Sequence, residues 1–157
     1  MTPRRLTLLG FVPMTVVLYL WVLVAPSIYG VSGWGGVGVL FFLGPVTVLF
    51  LLVVGVLVLA MRQRPRRFTW AQTFAAWLMW AALMTGGFVF EDAGDDTDTG
   101  PSVFTHLVGR TRATVQLGEG VLVLCAGIVM VSALALVVLL VWDLVAASRR
   151  SGRPVGG

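Results

Sequence analysis

The sequence predicts an all-α integral membrane protein, four transmembrane helices packed as an antiparallel bundle with both termini cytoplasmic. Three observations lead there. Of 157 residues, 58% are hydrophobic and 11% charged. A soluble domain is about 45–50% apolar and about 25% charged, so a fold in water could not cover this much apolar surface. Four apolar runs each reach the roughly 20 residues that cross about 30 Å of hydrocarbon as a helix. Finally, arginine is distributed one-sidedly between the segments that join those runs.

The runs are 6–25, 37–61, 69–90 and 121–146, within one domain spanning 1–157. In lipid the backbone must satisfy its own hydrogen bonds, so each run is expected to be a helix. The first follows Arg4 and Arg5, as a signal peptide would. Its apolar stretch is longer than the usual roughly 7–15 residues and no A-x-A site follows, so it is expected to stay as a helix. Pro13 and Pro45 fall inside the first two helices and predict kinks. The second and fourth runs exceed the minimum span and have length to tilt or protrude.

Orientation follows from the basic residues. Arg4, Arg5, Arg62, Arg64, Arg66, Arg67, Arg149, Arg150 and Arg153 fall on one side, and only Arg110 and Arg112 on the other. The termini and the inner loop 62–68 are therefore expected in the cytoplasm, and the outer loop 91–120 outside. Tyr29, Trp34 and Phe90 suit the outer interface, and Trp70 and Trp142 the inner one. Trp77 and Trp80 fit neither, because they fall near the middle of the third run.

All eleven basic residues are Arg, and Lys and Asn are absent. Codon bias in a high-GC bacterial genome accounts for this, which implies a bacterial plasma membrane. Arg62, Arg64, Arg66 and Arg67 form a basic cluster suited to anionic headgroups on the cytoplasmic side, where each contributes roughly 1 kcal/mol. The hairpin is too small for nucleic acid, so no such partner is expected.

The stretch "EDAGDDTDTG" carries Glu91, Asp92, Asp95, Asp96 and Asp98. Hard cations favour clustered carboxylates, which makes Asp92, Asp95, Asp96 and Asp98 weak metal candidates. The calcium-loop template fails, however: with Asp96 first, Pro101 falls where glycine is needed and Leu107 where glutamate is needed. A hydrated outer loop is the simpler reading, and an acidic docking patch a third. Beyond it, Val103, Phe104, Leu107 and Val108 have helical spacing, as in a short amphipathic segment lying on the outer leaflet or capping the bundle.

Other chemistry is sparse. His106 is the single histidine, so one chain cannot hold a haem between two histidines. Cys125 is alone in an apolar run and reads as a small hydrophobe. No phosphate loop, nucleophile elbow or zinc motif is present, and "GWGGVG" follows no strand. No cofactor and no enzymatic activity are expected. Asp143 is the one carboxylate within the apolar runs. An interhelical pair, with an inner-loop arginine as a candidate partner, is expected over a functional acid.

The third run has the clearest packing pattern. Ala71, Ala75, Ala82 and Gly86 fall near one face, and small residues let helices approach closely in lipid. The neighbour is a helix of the same bundle or a partner chain. Together these features point to a non-catalytic accessory or scaffold subunit binding partner helices in the bilayer. The alternative is an oligomeric channel or transporter protomer, its pore lined by Thr15, Thr47, Thr85 or Ser132. A partner membrane protein or a homo-oligomer is expected accordingly.

Overall fold

The computed structural model describes residues 2–25, 37–61, 68–91 and 102–151. These form α1 (Pro3–Val24), a π-helical turn (Val39–Leu43) leading into α2 (Gly44–Ala60), α3 (Trp70–Val89), a short α4 (Val103–Val108) and α5 (Arg112–Ser151). No strand occurs among the described residues.

Local chemistry sets the ends. Pro3 opens α1, where a missing N–H costs nothing, while Pro13 lies inside the continuous helix. Pro45 has a sharper effect. It stands in the first turn of α2, directly after the π-helical turn, so the expected kink is a change of helical register. The Tyr19 hydroxyl donates to the Val39 carbonyl at 3.0 Å and ties α1 to that turn. Gly44 leaves room for it, since an added Cβ would sit 3.2 Å from the hydroxyl. A reciprocal capping box opens α3: Thr69 Oγ1 accepts from the Gln72 amide, and Gln72 Oε1 accepts from the Thr69 amide.

The outer segment differs from expectation. The fourth run was expected over 121–146, but α5 extends over 40 residues. Its start is held by Thr111 and Thr114, each backbone N–H donating to the other's hydroxyl oxygen, at 2.8 and 3.2 Å. This reciprocal cap lies outside the apolar run, so apolar periodicity could not reveal it. Residues 112–120, expected in a loop, are thus helical. At 1.5 Å per residue α5 is ~60 Å long, more than the roughly 40–45 Å of a bilayer with its headgroups.

Side-chain pairings give the bundle its directions. Along α1, Arg4, Thr7, Thr15 and Trp21 meet Phe68, Trp77, Trp80 and Met84 in turn, so α1 and α3 run parallel. Gln72 meets Asp143, while Gly86 approaches Cys125, so α3 and α5 are antiparallel. Tyr19 meets Val39 and Phe11 meets Phe50, so α1 and α2 are antiparallel as well. Helix α3 packs against both α1 and α5, and α2 packs on α5.

One buried cluster joins all four long helices: Phe11, Val54, Phe68, Ala75, Ala76, Met79, Leu136 and Leu140. Phe11 is its hub, with edge-on contacts to Phe50 and Phe68 at 6.2 and 5.8 Å. Among the described residues three helices are long and apolar enough to cross a membrane: Pro3–Val24, Val39–Ala60 and Arg112–Arg149. The expected crossing at 69–90 is helical, but it is not one of these three. Gln72, Thr73, Thr85 and three tryptophans dilute its apolar character.

Candidate functional site

The side chains with hydrogen-bonding chemistry converge on α3. Thr7 donates to the Pro3 carbonyl and accepts from Trp77 Nε1, both at 3.0 Å. Two turns along, Thr15 donates to the Phe11 carbonyl at 2.7 Å and accepts from Trp80 Nε1 at 3.0 Å. Each threonine thus turns its proton into its own helix and offers its lone pair to a tryptophan of α3. Trp77 and Trp80 lie mid-helix because they pin α1 to α3, a role the sequence reading missed. The available signal was Thr7 and Thr15 eight residues apart on one face of α1, with Trp77 and Trp80 one turn apart on α3.

A third tryptophan completes the seam. Trp21 Nε1 donates to the Met84 carbonyl at 3.2 Å, and its ring packs edge-on to Phe88 at 5.2 Å. Gly87 makes this approach feasible, since an added Cβ there would overlap the indole.

At the other end, Gln72 is fully buried and donates through Nε2 to Asp143 Oδ2 at 2.8 Å. Asp143 therefore has the interhelical pair expected of it, with glutamine as partner. The same Gln72 amide also caps α3, so one residue fixes the start of that helix and its contact with α5. Beside it, Arg4 Nε donates to the Phe68 carbonyl at 2.6 Å, and its guanidinium lies 5.8 Å from the Trp70 ring centroid.

Of the expected packing face, Ala75, Ala82 and Gly86 are buried, as is Gly87. Ala71 is exposed instead. The buried arc also contains Gln72, Thr73 and Ala76, and Met79 lies on it seven residues from both Gln72 and Gly86.

At the opposite end of the bundle α4 forms a cap. Ser102, Val103 and Thr105 are buried, and Thr105 Oγ1 donates to Glu91 Oε1 at 3.1 Å. The predicted apolar face of Val103, Phe104, Leu107 and Val108 is divided, because Leu107 and Val108 are exposed. Buried hydroxyls, satisfied by the cap of α4 and by Glu91, take the inward side. His106 is exposed on the last turn of α4.

Asp92, Asp95, Asp96 and Asp98 lie outside the described residues, as do Arg62, Arg64, Arg66 and Arg67. Among the described residues no group of three or more His, Cys, Asp or Glu side chains is placed to hold a metal. The four hydroxyls considered for a pore do not share a face. Thr15 and Ser132 are buried, Thr47 is half-buried and Thr85 is exposed, and Thr47 donates to its own helix at Leu43.

Open apolar grooves line the bundle among the described residues. One of about 750 Å³ runs between α1 and α3, and one of about 420 Å³ between α3 and α5. Together, a helical fold and long apolar helices with exposed side chains define a membrane protein. Compared with family models, curated proteins and solved structures, the chain finds no match.

Proposed function

We propose that the chain is a multi-pass protein of a bacterial plasma membrane, and a non-catalytic accessory or scaffold subunit that holds partner helices within the bilayer. The observation that carries this reading is α2. It is apolar along its whole length, yet only Val54 is buried in the bundle. Phe41 and Phe42, in the π-helical turn before it, are 72% and 80% exposed. A helix apolar all round is stable where its surroundings are apolar, in a protein interior or in lipid. Here that surface is open to lipid and to helices of other proteins.

Packing supports a fourth crossing. Helix α3 lies alongside α1 and α5 over its length, so it crosses where they cross, sheltered by them. The pairing directions bring the start of α1, the start of α3 and Asp143 to one end, which is also the end nearest the arginine-rich inner segment. By the charge rule that end is cytoplasmic. The polar groups of α3 serve as interhelical fasteners, and none is arranged as a nucleophile, base or metal ligand among the described residues. Since the small-residue face of α3 is occupied by α1 and α5, partners are expected on α2 and on the outer side of α5.

The test is gentle extraction from the native membrane, followed by the mass and composition of the complex. A larger, different protein recovered in fixed ratio is the expected result. Recovery of copies of this chain alone would overturn the accessory reading and make a self-assembled oligomer the subject of flux assays.

A further inference from the structure

We infer that the groove between α1 and α3 is a binding site for one phospholipid with an anionic headgroup, its acyl chain lying in the groove and its phosphate taken by Arg4. The inference rests on the membrane reading above and goes beyond it, from general surface attraction to a defined site.

The groove extends along α1 from Pro3 to Leu18. That is ~22 Å at 1.5 Å per residue, enough to run from headgroup level through one leaflet of roughly 15 Å. Its lining is mainly apolar side chains, with Gly10 and Ala81 among them beside Met14 and Trp77. The polar atoms along it are already used. Trp77 donates to Thr7 and Trp80 to Thr15, and each threonine donates to its own helix. A polar solute would find little to bond, whereas a hydrocarbon chain loses nothing by lying there.

Charge selects the headgroup. The groove opens at the end of α1 that carries Arg4; the first ninety residues contain no Asp or Glu, and Asp143, at the same end, accepts from the buried Gln72. Arg4 is held in place by its Nε–H on the Phe68 carbonyl and by the Trp70 ring. Trp70 itself continues the groove face of α3, seven residues before Trp77. That leaves the paired terminal N–H groups of the guanidinium for a phosphate, the geometry in which arginine binds best. Arg5 is exposed and, by helical spacing, falls on the opposite face of α1.

The experiment uses the full chain in neutral detergent, with native mass spectrometry after adding phosphatidylglycerol or phosphatidylcholine of identical acyl chains. Phosphatidylglycerol is expected to bind at one site, roughly five- to tenfold more tightly than phosphatidylcholine. Arg4→Gln should remove that preference and Arg5→Gln should leave it. If Arg4→Gln loosens the bundle by losing Phe68, Arg4→Lys keeps the charge without the fork and should retain part of the preference. An added Cβ at Gly10 meets nothing within 4 Å, so Gly10→Leu should fill the groove and remove either bound lipid without lowering the melting temperature. Equal retention of the two lipids, equal effects of the Arg4 and Arg5 variants, or undiminished binding by Gly10→Leu would each overturn the site. So would a partner helix found in the groove in place of lipid. A chain that stays in solution without detergent would instead overturn the membrane reading beneath it.

Discussion

Helices α2 and α3 are similar in length, 17 and 20 residues, but their burial is the reverse of their polarity. Helix α3 contains Gln72, Thr73, two adjacent glycines and three tryptophans, and nine of its residues are buried. Helix α2 is almost wholly aliphatic, and one of its residues is buried. In water the hydrophobic effect would exchange them, because apolar area is driven inward and polar groups stay wet. The observed order is stable when the medium outside is itself apolar. There the polar groups gain by finding each other inside, and aliphatic surface gains nothing by hiding. Close packing and interhelical hydrogen bonds then hold the bundle together, and both are concentrated on α3.

The comparison can be broken most forcefully at the middle of α2. Leu49 is 63% exposed. Leu49→Arg should cost about 2.5–3.5 kcal/mol in insertion of that helix, measured as the fraction inserted in a membrane-integration assay. At an exposed site in water the same change would fall within about 0.5 kcal/mol. Insertion unchanged by this arginine would place α2 in an aqueous setting and remove the basis of the comparison.

Steric substitution at glycine sharpens it. Gly87→Leu on α3 must displace the Trp21 indole and is expected to destabilise by about 1–3 kcal/mol, the range for overpacking. At Gly55 on α2 an added Cβ meets nothing within 4 Å, so Gly55→Leu should be near neutral. Reversible unfolding in mixed micelles would measure both, and equal losses would show that α2 is packed as tightly as α3.

Smaller effects belong to single hydrogen bonds. Gln72→Leu removes both the contact to Asp143 and half of the α3 cap, and about 1–2 kcal/mol of stability should go with them. Asp143→Asn keeps an acceptor for Gln72 and should cost less than that. Smallest of all, a double-mutant cycle on Thr15→Val and Trp80→Phe should return a coupling of about 0.6 kcal/mol, the average for such bonds between membrane helices. A coupling near zero would show that Trp80 contributes through its ring contacts with Phe11 alone.

The helices were legible because each apolar run is long and uninterrupted, and because lipid leaves the backbone no other way to satisfy its hydrogen bonds. Small size at helical spacing is visible in a sequence, and Ala75, Ala82 and Gly86, which it marks, are buried. The partner across the seam was not legible. Gln72 reads as a hydrogen-bonding group suited to helix contact and Met79 as bulk around the seam, but only the fold brings Asp143, seventy-one positions away, beside the glutamine. The start of α5 was missed for a different reason. A threonine pair caps it outside the apolar run, where hydropathy carries no information.

By itself, then, the sequence determined the medium and most of the helical elements: composition requires lipid, and run length makes helices. Tertiary structure decided which helix is inside. That choice depends on pairs such as Thr7 with Trp77 and Gln72 with Asp143, whose hydrogen bonds form between residues distant along the chain. No local property of either partner encodes the distance between them.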